Sequence, residues 1–114
     1  MIIEKGSNVH FAYRALFEGS NRRHFLGEVV AAEGTVCRLE GYAFVYDPKT
    51  TMFERKPDKR TTIANLAESG YIVNILDTSL DIDKVVYEYK RDVGLIATDH
   101  EKFTLNINEF GARS

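Results

Sequence analysis

Apolar and polar residues alternate with period two along most of this chain, between short clusters of turn-forming residues. That period is the mark of half-buried strands, because successive side chains of a strand point to opposite faces. At the C-terminal end Phe103, Leu105 and Ile107 alternate with Thr104, Asn106 and Asn108. Val93–Thr98 predicts the preceding strand, and Asp99-His100-Glu101-Lys102 the hairpin connection between them. Ile82–Lys90 reads as one strand, with Val85, Tyr87 and Tyr89 on one face opposite Lys84, Val86, Glu88 and Lys90. Tyr71–Leu76 is a short apolar strand after the turn signal Ser69-Gly70.

Thr35–Asp47 changes character at Gly41. Before it, Cys37 and Leu39 share a face opposite Arg38 and Glu40; after it, that second face becomes the aromatic row Tyr42, Phe44 and Tyr46. A strand glycine marks a bulge or sharp bend, so a bent strand serving two sheet faces is expected. Glu33-Gly34 and Asp47-Pro48-Lys49-Thr50 are turns, which makes residues 24–55 a three-stranded antiparallel meander. Two segments fit both periods. Val9, Ala12, Tyr13, Leu16 and Phe17 suit a helical face, whereas Phe11, Tyr13, Ala15 and Phe17 suit a strand; the polar EGSNRR that follows favours the strand. Residues 61–69 fit one or two helical turns or a strand equally well. Seven or eight short strands at this spacing predict a mostly β fold: a small antiparallel barrel or sandwich, with at most one short helix.

Length and composition set the outer bounds. A chain of 114 residues with 44% hydrophobic and 28% charged residues is expected to form one domain spanning 1–114. MIIEKGSNVH has no long apolar run before its first charges, and no stretch approaches the roughly 18–20 apolar residues of a membrane span. No membrane is therefore expected, and the default location is cytoplasmic. The single Cys37 excludes an internal disulfide and a cysteine-based zinc site, and mid-strand it reads as a small buried hydrophobe. His10, His24 and His100 are widely spaced and read as surface or locally bonded histidines. Asp77, Asp81 and Asp83 lack the central glycine of a calcium loop and read as a solvated connector, with Asp99 and Glu101 as turn residues. The common nucleotide-phosphate and serine-nucleophile signatures do not occur, so no cofactor is expected and a non-enzymatic role is favoured.

Charge is unevenly distributed. The net charge is −2, which lowers the expectation for nucleic acid, yet residues 21–60 carry eight Lys/Arg against six Asp/Glu while residues 61–114 carry five against nine. Two clusters stand out: Arg22-Arg23-His24, and Arg55-Lys56 with Lys59-Arg60, flanked by Tyr46 and Phe53. Cations interleaved with aromatic rings can hold single-stranded nucleic acid by phosphate pairing and base stacking. The alternative is a pair of soluble loop tips whose charges oppose aggregation. A third reading places a small ligand or an active site inside a barrel lined by Tyr42, Phe44, Tyr46, Tyr87 and Tyr89, although such rows more often pack as core. Unpaired sheet edges make a homo-oligomer the expected state.

Gly34–Phe53, GTVCRLEGYAFVYDPKTTMF, resembles the first conserved block of Sm/LSm-like small barrels: a strand, a glycine in the next bent strand, then an aspartate followed by a Met-Asn pair. Gly41, Asp47 and Met52 take those parts. Phe53 stands where the family has its RNA-contacting asparagine, and no second block ending in Arg-Gly or Lys-Gly is found. The resemblance implies a bent five-stranded barrel, ring assembly and RNA binding, with Asp47 the one position carried over. The readings kept open are a non-enzymatic β-rich binding or assembly module, an RNA-binding module using Arg22, Arg23, His24, Asp47, Phe53, Arg55, Lys56, Lys59 and Arg60, and a ligand-binding barrel.

Overall fold

A computed structural model describes residues 3–13, 22–67 and 71–107. They form nine strands: β1 (Asn8–Tyr13), β2 (Arg23–Glu33), β3 (Val36–Asp47), β4 (Met52–Arg55), β5 (Arg60–Asn65), β6 (Tyr71–Leu76), β7 (Val86–Lys90), β8 (Gly94–Thr98) and β9 (Thr104–Asn106). The chain has two compact units, Met1–Leu80 and Asp81–Ser114. The first holds a six-stranded sheet and the second a three-stranded one, all of whose pairings are antiparallel. The mostly β expectation holds. Of the two alternatives the sandwich fits, since no closed barrel is found among the described residues: the larger sheet runs β4-β3-β2-β1-β6, with β5 also on β3. Among the described residues no helix is long and apolar enough to cross a membrane.

The meander over 24–55 is present as β2–β3–β4. At Gly41, where a bend is expected, β3 changes partners and comes close to β2. Residues 36–41 of β3 pair with β5, whereas Phe44–Asp47 pair with β4, so the strand changes partners along one edge. Gly41 lies directly opposite Gly27 of β2. A Cβ on Gly41 would sit 1.9 Å from the Leu26 carbonyl oxygen and 2.5 Å from the Gly27 Cα. The backbones therefore approach where a side chain cannot fit. A register shift between Val29 and Ala31 adds a bulge on the same pair.

Both ambiguous segments are strand where described. Residues 8–13 form β1; 14–17 and most of EGSNRR lie outside the described residues. Residues 60–65 form β5, which ends in a turn at 66–67, and 68–69 lie outside the described residues. Tertiary pairing with Val36–Gly41 decides the second case, since local pattern left it open.

One face of the first unit carries a continuous core of Ile3, Val9, Phe11, Phe25, Val29, Cys37, Leu39, Ala43 and Ala64. Burying each large aliphatic or aromatic side chain contributes roughly 1.5–3 kcal/mol. Cys37 is a core residue, as expected, and burial raises its thiol pKa. Asn8 is also buried; its side-chain amide donates to the Asp77 and Leu80 carbonyls at 3.0 and 3.1 Å and ties down the turn after β6.

In the second unit, Ile82–Lys84 is a 3-10 turn rather than the start of a strand. Its cause is local: the Asp81 carboxylate accepts from the Asp83 backbone N–H at 3.0 Å, which caps the turn. Asp77 similarly accepts from the Ser79 N–H at 2.9 Å. The C-terminal hairpin follows the expected alternation, with Ile107 buried and Thr104 and Asn106 exposed. Its turn is organised by Asp99, whose Oδ1 accepts from the N–H groups of Glu101, Lys102 and Phe103 at 2.9, 3.1 and 3.0 Å. These backbone donors, Glu101 first, hold the Asp99 carboxyl below the ordinary carboxylate range. The hairpin therefore draws full stability from Asp99 above the ordinary carboxylate pKa and loses it as pH falls through the lowered one. Asp99→Ala is expected to lower the thermal midpoint of the second unit at pH 7 and to leave a smaller difference from wild type at pH 2.

Candidate functional site

The basic clusters meet at one end of the larger sheet because the register of β2, β3 and β4 brings them there. His24 lies opposite Phe44, Tyr46 opposite Phe53, and Phe44 opposite Arg55. Directly paired residues share a face, so Tyr42, Phe44, Tyr46, His24, Phe53 and Arg55 belong to one face. Arg22 enters it just ahead of β2, where its carbonyl accepts from the Tyr46 N–H at 2.9 Å.

Three cations stand over two tyrosine rings. The Arg22 guanidinium lies 4.2 Å from the Tyr46 ring centre, Arg55 lies 4.0 Å from that of Tyr42, and Lys59 Nζ lies 5.9 Å from Tyr42. Each such contact is worth roughly 0.5–1 kcal/mol at a solvated site, and it limits where the cationic head can go. The other predicted positions separate from this strip. Arg23 pairs with Val45 and Arg60 with Gly41, in register with the opposite face. Lys56 donates its backbone N–H to Ala43, and its ammonium lies 3.7 Å from Glu54, an exposed pair of small energetic weight. The Asp47 carboxylate accepts from the Lys49 N–H at 2.9 Å and shapes the β3–β4 turn.

Two members of the predicted set lie inside the protein. His24 is fully buried and stacks on Phe53, with ring centres 4.5 Å apart and planes at 25°. Phe53 is itself buried and meets Tyr46 edge-on at 5.5 Å. Neither ring offers a free face for a base, and Tyr42, also buried, has the Arg55 guanidinium over its ring.

The histidines correct the sequence reading most. His100 is exposed and bonds Glu88, as a surface histidine would. His10 and His24 are instead buried side by side, with ring centres 5.1 Å apart at 78°. Burial, and then the proximity of His24, push the His10 pKa down to about 3, so its ring is neutral at pH 7. The alternation of Asn8, His10 and Ala12 with Val9 and Phe11 gives no sign of this, yet β1 buries Asn8 and His10 on one face as well as Val9 and Phe11 on the other.

The tyrosine row divides between the two sheets. Tyr42, Phe44 and Tyr46 share a face of β3, while Tyr87 and Tyr89 lie on β7, where Tyr89 is 61% exposed. A concavity of about 290 Å³ lies elsewhere, against Ala31, Ala32, Val36, Arg38 and Ile63 at the outer end of the β2–β3 hairpin. Among the described residues no group of three or more His, Cys, Asp or Glu is placed to hold a metal ion. No known protein family, curated protein or solved structure matches this chain.

Proposed function

We propose that this chain is a non-enzymatic β-sheet binding module that takes a polyanionic partner, RNA being the class the sequence suggests, on the strip Arg22–Arg55–Lys59. The single observation that carries this reading is the placement of three cations over Tyr46 and Tyr42 on one sheet face. Holding the heads in place before binding reduces the ordering cost that flexible surface cations incur. Contact is electrostatic rather than stacked, because His24 and Phe53 are buried and Tyr42 lies under Arg55. Arg23 and Arg60, in register with the opposite face, and Lys56, beside Glu54, are not counted among the contacts. Asp47 is left out of the contact set, because its carboxylate accepts from the Lys49 N–H and shapes the β3–β4 turn.

The test is fluorescence anisotropy with a single-stranded oligouridine across a salt series. Three phosphate contacts predict a slope of log K against log salt of about −2. Arg55→Gln and Lys59→Gln should each make that slope shallower by about 0.7. Absence of binding at the lowest salt would remove the polyanion reading and leave an assembly module.

A further inference from the structure

We propose that β6 is a self-association edge that pairs antiparallel, about a two-fold axis, with β6 of a second copy of this chain. An edge strand turns alternate N–H and C=O groups outward, and natural sheets guard such edges with charge, proline or short length. The described edges are guarded in this way at β4 by Glu54 and Arg55, at β5 by Arg60, at β7 by Glu88 and Lys90, and at β9 by a length of three residues. β6, at the end of the larger sheet beside β1, has six residues, Tyr-Ile-Val-Asn-Ile-Leu, with no charge, proline or glycine. It exposes Ile72 by 57% and Ile75 by 54%, one on each face of the strand.

The occupant follows from the chemistry of that edge. Main-chain donors and acceptors in strand geometry call for another strand, and the sequence matches its own reverse. An antiparallel register centred on Asn74 sets Ile72 opposite Leu76 of the second copy and Val73 opposite Ile75, apolar against apolar on each face. Asn74 then meets its own equivalent, and each amide can both donate and accept. Charges are compatible as well, because Asp77 falls opposite Tyr71 and no acid faces an acid. A two-fold pairing of this kind closes at two copies instead of growing. One six-residue edge buries less than the roughly 800 Å² per partner of a standard interface, so the dimer is weak and concentration-dependent.

Sedimentation equilibrium on the full chain tests this. The mass should rise from 13.0 kDa toward twice that value between roughly 10 µM and 1 mM. Ile72→Lys and Ile75→Lys, both at exposed positions, should stay at 13.0 kDa with an unchanged thermal midpoint. Register is read separately by oxidation. Asn74→Cys brings two Cα atoms within about 4.5–5.5 Å and should cross-link, whereas Ile72→Cys is offset by four residues from its equivalent and should not. Wild-type Cys37 is buried and gives the background. A wild-type mass fixed at 13.0 kDa over the whole range, lysine variants that dimerise as wild type does, or equal cross-linking of the two cysteine variants would each overturn the proposal.

Discussion

Lowering the pH from 7 to 5 is expected to cost the first unit about 2 kcal/mol of folding stability, through His10 alone. The folded state holds this histidine's pKa at about 3 against 6.5 for the free side chain, so folding favours the neutral ring. The unfolded chain therefore binds a proton that the folded chain refuses. Stability is fully present above pH 6.5 and falls as pH drops from there toward 3, by about 5 kcal/mol over the whole window. Urea unfolding at pH 7, 6 and 5 measures it. His10→Phe keeps a flat apolar ring beside His24 and has no proton to bind, so its midpoint should change much less over the same range. Equal wild-type midpoints at pH 7 and pH 5 would contradict the buried, neutral assignment.

Gly41→Ala is the substitution expected to damage the fold most. The added carbon would stand 1.9 Å from a backbone oxygen of Leu26, which no rotamer change can relieve. Separating β2 from β3 at that point would also disturb the exchange of β5 for β4 along β3. A loss of about 3 kcal/mol or more is expected, a fall of at least roughly 10 °C in the thermal midpoint. Gly34→Ala is the comparison. Gly34 has φ +60° but nothing within 4 Å of its added Cβ, so the cost there is about 1 kcal/mol, for backbone conformation alone. A Gly41→Ala protein as stable as Gly34→Ala would show that the close crossing is not a structural constraint.

Much of the fold was legible because one signal, period-two alternation, controls it. The meander, the break at Gly41, β6 and the C-terminal hairpin all follow from that pattern and its turn residues. What escaped was set by pairing across the sheet. Residues 61–65 carry no decisive period and become β5 only because Val36–Gly41 has a free edge for them. Ile82–Lys84 alternates acceptably for a strand, yet the Asp81 cap turns it into a 3-10 turn. The strip was legible as two basic clusters, but not the sorting within it. Register moves Arg22 and Arg55 to one face and Arg23 and Arg60 to the other, and a one-residue slip would have reversed them. The burial of His24 and Phe53 likewise depends on their meeting each other across β3.

The polyanion assignment can be mapped directly by titrating ¹⁵N-labelled protein with the oligouridine at low salt and following amide shifts. The moving amides should cluster at residues 22–24, 42–47 and 53–60, and Arg55→Gln should weaken the response throughout that set. Shifts centred on the 290 Å³ concavity at the outer end of the β2–β3 hairpin, or no shifts at all, would contradict it.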